Sequence, residues 1–170
     1  MSIPFSPPFI DKDVINEVLD ALESGWITSG PKVKLLEEEV RKMTQCDAAI
    51  CVNSWTSGAI LMLRWFGVGP DDEVIVPAYT YSATALSLLQ CCAKTIMVDV
   101  KDDFTIDVDQ VATKITKNTK VIMPVDIARW PCDYEAIYEL INKEEVQRMF
   151  APTTINQEKL NRILVRSDAA

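Results

Sequence analysis

The chain reads as an α/β domain, a mostly parallel sheet with helices on both faces. Three observations predict this. Short apolar runs at residues 48–52, 73–76, 95–100, 120–125 and 163–167 have strand length and lack the polar alternation of a half-exposed sheet. Between them stand segments whose apolar residues recur three and four apart. The two patterns alternate along the chain, as βαβ units require. With 170 residues, of which 48% are apolar, one such domain can bury a substantial core.

The elements follow in order. Residues 6–9, with Pro7-Pro8, form an extended lead-in. Residues 11–23 place Val14, Ile15, Val18, Leu19 and Leu22 on one helical face, and Gly25 stops that helix. Pro31 opens a second helix at a first-turn position; Leu35, Leu36, Val40 and Met43 are expected to pack inward and Glu37, Glu38 and Glu39 to face water. A strand at 48–52 leads into a helix carrying Ala59, Ile60, Met62, Leu63 and Phe66. Residues 67–72 turn into the strand at 73–76, followed by a loop at 77–82 and a helix over 83–92. The strand at 95–100 precedes a helix capped by Asp107. The strand at 120–125 precedes a helix begun by Asp133, a polar stretch at 143–160, and the last strand at 163–167.

Composition narrows the chemistry. Net charge is −8 and there is no basic stripe, so nucleic acid is not an expected partner. No apolar run is long enough to span a bilayer, and the N-terminus lacks a signal-peptide pattern, so the expected location is cytoplasmic. Five cysteines without a C-x-x-C read as free thiols. The absence of histidine removes His-based triads and His-ligated zinc, and no metal site is expected. Five glycines without G-x-G-x-x-G argue against a nicotinamide dehydrogenase or a P-loop.

The stretch Cys51-Val52-Asn53-Ser54-Trp55-Thr56-Ser57-Gly58 is the organising element. Strand, polar turn, helix aims free backbone N–H groups at an anion, with the helix dipole behind them. The same residues also make an ordinary helix start, and spacing alone leaves both readings open. In parallel sheets, ligands collect beyond the carboxyl ends of the strands. Residues 53–57, residues 77–82 and Ser167-Asp168 all fall on that edge.

The order of segments resembles the DegT/DnrJ/StrS family of sugar aminotransferases, pyridoxal-phosphate (PLP) enzymes of the type I, aspartate-aminotransferase fold. The residues that carry the resemblance are Ile3-Pro4-Phe5, the run 24–31 (SGWITSGP), 52–57 (VNSWTS), 67–77 (GVGPDDEVIVP), 80–84 (TYSAT), Met97-Val98-Asp99-Val100, 119–125 and Ser167-Asp168-Ala169-Ala170. The resemblance implies that Ser54, Trp55, Thr56 and Ser57 cradle the cofactor phosphate. It implies that Tyr81 stacks on the pyridine ring and that Asp168 pairs with its nitrogen, preserving the electron sink. Thr28 and Ser29 would lie at the substrate rim. The implied substrate is a nucleotide-linked keto sugar, with glutamate as amino donor, in amino-sugar or cell-surface polysaccharide biosynthesis. The implied assembly is a homodimer.

The resemblance also implies what residues 1–170 lack. The Schiff-base lysine of the family follows the match to Asp168, and none of the eleven lysines stands there. The chain is therefore expected to be the N-terminal part of a PLP-binding large domain, without late strands, lysine segment or small C-terminal domain. Such a chain is expected to be poorly stable, rearranged, or completed by another polypeptide. Three positions depart from the family: Arg129 where Gly is usual, Arg166 where an apolar strand residue is usual, and the long polar stretch at 143–160. Two alternatives stand beside the aminotransferase: a non-catalytic fragment or interaction module, and a PLP-dependent sugar dehydratase in which histidine replaces the lysine.

Overall fold

The computed structural model describes residues 7–169, so Ile3-Pro4-Phe5, the Ser6 start of the lead-in and Ala170 lie outside the described residues. The chain divides into two compact units, the first ending at Cys51 and the second beginning at Val52.

The first unit holds α1 (Lys12–Glu23) and α2 (Pro31–Thr44). The Asp11 carboxylate caps α1 by accepting from the Val14 N–H at 3.0 Å, and Gly25 ends the turn at φ 70°. The expectation for α2 is corrected here. Leu35, Leu36, Val40 and Met43 are 39–83% exposed, and the stripe of α1 is likewise open, at 41–59%. Amphipathic patterning formed the helices, but nothing among the described residues of this unit covers their apolar faces. Glu37 also departs from its expected role, since its carboxylate accepts the Cys51 N–H at 2.9 Å.

The second unit is a parallel four-stranded sheet in the order β2-β1-β3-β4. It begins with α3 (Trp55–Phe66), followed by β1 (Glu73–Pro77), α4 (Ser82–Leu89), β2 (Lys94–Val98) and α5 (Val108–Lys114). Then come β3 (Thr119–Ile122), a short turn at Ile127–Arg129, α6 (Tyr134–Asn142), α7 (Glu144–Met149), α8 (Ile155–Leu160) and β4 (Leu164–Val165). The chain steps one way from β1 to β2 and the other way from β2 to β3. Right-handed crossovers therefore put α4 and α5 on opposite faces. The core is filled by Leu63, Phe66, Ile75, Leu88, Ile122 and Ile137, all fully enclosed.

Three expectations are revised. Residues 48–52 pair with no described strand, and Ile50 and Val52 are exposed; an apolar run becomes a strand only with a ladder partner. The polar stretch at 143–160 contains α7 and α8, the second held by a buried glutamine. Gln157 Nε2 donates to the Phe66 carbonyl at 3.1 Å, and Gln157 Oε1 accepts the Thr153 N–H at 2.9 Å. Arg166 lies just past β4 and is half-buried rather than enclosed. In the loop after β3, the positive-φ position is Ala128, at 51°.

Candidate functional site

Four segments of the second unit end at the carboxyl edge of the sheet, where the strand order reverses at β1. The first is the start of α3. Ser54 is extended, at φ −160°, and its hydroxyl caps the helix by accepting from the Ser57 N–H at 3.1 Å. The Ser54 and Ser57 hydroxyls are 2.9 Å apart and bonded. The Ser57 N–H is thereby satisfied, while the N–H groups of Trp55 and Thr56 have no acceptor inside the helix. A Cβ on Gly58 would come within 3.2 Å of Val52, so glycine lets the chain entering the helix pack closely.

The second segment follows β1. Tyr81 sits at the N-terminal boundary of α4 in an extended conformation and is 80% exposed, leaving its ring open to a partner. Thr80 and Thr84 bond to each other through their hydroxyls at 2.8 Å. Thr84 then donates to Asp168 Oδ2 at 3.1 Å.

Asp168 belongs to the third segment, the continuation of β4, and is 4% exposed. Its N–H donates to the Pro124 carbonyl at 2.9 Å, and its carbonyl accepts from the Asp126 N–H at 2.8 Å. The carboxylate is thus fixed from both sides by backbone and from α4 by a hydroxyl. Two residues earlier, the Arg166 guanidinium lies 4.6 Å from the centre of the Trp55 ring. Burial pulls its pKa below the usual arginine range, opposed by the nearby charge of Asp168.

The fourth segment is the loop after β3, with Asp126 as its hub. Asp126 Oδ1 accepts from the Cys132 N–H at 2.9 Å and from the Tyr134 hydroxyl at 2.9 Å. The Ser167 hydroxyl bonds to the Tyr134 hydroxyl and reaches Asp126 Oδ2 at 3.4 Å. Burial first, and then the hydrogen bond and charge of Asp126, push the Tyr134 phenol well above its ordinary range. The network ties the strand end carrying Asp168 to the neighbouring loop.

The structure therefore brings Ser54, Trp55, Thr56, Ser57, Tyr81 and Asp168 to one edge of one sheet. Thr28 and Ser29 belong to the first unit. There Thr28 lines a cavity of about 430 Å³ with Asp20, Trp26 and Lys32, and the Ser29 carbonyl accepts from the Trp26 indole at 3.0 Å. Sequence reading missed Thr84, Asp126 and Tyr134. The four-residue spacing of Thr80 and Thr84 at a helix start was the signal for the first; the other two carry none without the fold.

Comparison with known proteins gives the family. Residues 8–149 match the DegT/DnrJ/EryC1/StrS aminotransferase family. The chain belongs to that family. A UDP-4-amino-4-deoxy-L-arabinose–oxoglutarate aminotransferase from Shewanella sediminis (strain HAW-EB3) is 41% identical over 139 residues, which are 81% of this chain and 36% of that protein. Among solved structures, the PLP form of the putative sugar aminotransferase Spr1654 from Streptococcus pneumoniae superimposes with a TM-score of 0.96 at 43% identity. That match covers all of this chain and 43% of the other. A 3-amino-5-hydroxybenzoic acid synthase matches with a TM-score of 0.81 at 30% identity, over 99% of this chain and 40% of the other. The DegT/DnrJ/EryC1/StrS chain described here thus spans well under half the length of these relatives. Among its described residues, no helix is long and apolar enough to cross a membrane.

Proposed function

We propose that this chain carries the phosphate cradle, the ring-facing aromatic and the ring-nitrogen carboxylate of a PLP site that serves amino transfer to nucleotide-linked keto sugars. The observation that carries the reading is the convergence at one sheet edge of the α3 start, Tyr81 and the enclosed carboxylate of Asp168. The donor set fits the cofactor. Two unsatisfied helix N–H groups and the hydroxyls of Thr56 and Ser57 suit a phosphate dianion. An open phenol ring suits a flat heteroaromatic, and a buried, hydroxyl-supported carboxylate suits a protonated ring nitrogen.

When bound, the cofactor supplies an electron sink for breaking and making bonds at the carbon that bears the amino group. The residues of this chain hold and orient it. Ser54 fixes the first turn of α3, so that the Trp55 and Thr56 amides point at the phosphate. Tyr81 covers one ring face and excludes water from it. Thr84 and the backbone bonds to Pro124 and Asp126 hold Asp168 where a ring nitrogen can keep its proton. Thr28 and Ser29 serve the sugar rim, glutamate is the amino donor, and the working form is a homodimer.

Equilibrium dialysis of PLP against the full chain tests the proposal. We expect D168N and S57A each to weaken binding by about tenfold, as loss of one charge-assisted contact predicts. Equal affinity in wild type and both variants would sink it.

A further inference from the structure

A threonine inside a helix ordinarily bonds back to the carbonyl four residues earlier. Thr84, in the first turn of α4, does otherwise. Its hydroxyl donates to Asp168 Oδ2 at 3.1 Å and lies 2.8 Å from the hydroxyl of Thr80. Backbone bonds hold this middle member in place: its N–H donates to the Tyr81 carbonyl at 3.0 Å, and its carbonyl accepts from the Ser87 hydroxyl at 2.8 Å. Thr84 is 1% exposed and Asp168 4%, whereas Thr80 is half-buried.

The direction of the chain follows from counting protons. A hydroxyl has one to give, and an ionised carboxylate only accepts. The Thr84 proton goes to Asp168, so the bond between the two threonines is donated by Thr80. Bonds donated to a charged carboxylate favour the charged form. A hydroxyl that itself accepts a bond is the stronger donor, since each bond in a chain polarises the next.

Resting on the functional reading above, we propose that Thr80 is a positioning residue for the cofactor's carboxylate partner, acting on Asp168 through Thr84: the two hydroxyls in series hold that carboxylate in the charged form that a ring nitrogen needs beside it. The charged groups around Asp168 lie elsewhere. Arg166 is on its own segment, and Asp126, on the loop after β3, is engaged by Cys132, Tyr134 and Ser167. Helix α4 brings no ionisable side chain, only hydroxyls.

The test has two arms, both on the full chain. The first needs no ligand. Carboxyl-13C NMR follows the titration of Asp168, assigned by its loss in D168N, in wild type, T80V, T84V and the double variant. T84V should raise the Asp168 midpoint by about one unit, and T80V by about a third as much. T80S and T84S keep their hydroxyls and should stay near wild type. In the T84V background T80V should add nothing, because the series is already cut. All other contacts of Asp168 are common to these proteins and drop out of that comparison. T84A serves if T84V fails to fold. An equal T80V shift in both backgrounds, or no shift in wild type, overturns the proposal; a pair of threonines that only pins the loop to the helix would move neither midpoint.

In the second arm, binding of pyridoxamine phosphate is followed as pH falls. The acid-side loss of affinity should begin at higher pH in T84V than in wild type, by the shift seen in the first arm, with T80V between them. A shifted Asp168 midpoint with an unmoved acid limb overturns the link to the ring nitrogen and leaves the proposed function standing. Failure of wild type to bind pyridoxamine phosphate overturns the functional reading, and with it that link, while the first arm still decides the Thr80–Thr84–Asp168 series.

Discussion

Helices α1 and α6 form a matched pair. Each is capped by an aspartate whose carboxylate accepts an N–H three residues on, Asp11 from Val14 and Asp133 from Ala136, both at 3.0 Å. Each carries an apolar stripe at helical spacing. In α6 the stripe of Ile137, Leu140 and Ile141 is buried, whereas in α1 every member of the stripe is exposed. Caps and periodicity therefore specify a helix, and burial needs a second surface that the helix does not encode. The second unit supplies that surface as a sheet; the first, among its described residues, has two helices and no sheet.

The widest gap between the two units should appear in core truncation. I137A is expected to cost about 2–5 kcal/mol by urea denaturation, from lost burial and a residual cavity. L19A should cost less than about 1 kcal/mol, since little area leaves water on folding. Similar costs for the two would break the comparison. Next in size is Q157L, expected at about 1–3 kcal/mol, because the Thr153 N–H loses its acceptor. Amide exchange should quicken at Thr153 more than at α1, where protection is already low.

Cys132 sharpens the contrast through pH. Burial, the largest influence, pushes its thiol from 9.0 up to about 11. An unfolded chain thus releases this proton before the folded one does. The stability contributed by the neutral thiol is whole below pH 9 and is lost as pH rises through 11. Urea midpoints should fall across that window in wild type and fall less in C132A. Iodoacetamide should label exposed Cys51 and Cys92 and spare Cys132. Least in size are the caps. D11A and D133A should each cost about 1 kcal/mol or less of local helix stability, and a much larger loss at Asp11 would mean that α1 is propped by more than its own first turn.

The order and type of elements were legible because strand runs and helical stripes have different periods. The sheet edge carrying Tyr81 and Asp168 was legible for the same reason, since strand ends follow from strand positions; residues 54–57 reach it without the strand expected at 48–52. The Asp126–Tyr134–Ser167 network was not. Its members lie up to 41 residues apart and meet only because β3 and β4 are neighbours. Helix α8 escaped notice because its anchor, Gln157, is a polar residue in a core position, opposite to what composition suggests. The open stripes of α1 and α2 escaped it too, since patterning reports a face and not its partner.

The strand order has a consequence for how the molecule comes into being. Chains emerge from the ribosome at about 5–20 residues per second, N-terminal parts first. Strands β1, β2 and β3 are all present once residue 122 is out, and β1 already lies between its two neighbours. The start of α3 and Tyr81 precede that point in synthesis, while β4 and Asp168 come more than forty residues later. During translation the start of α3 and Tyr81 are therefore complete before the carboxylate is made, and a ligand of the proposed site would meet only one of its ends.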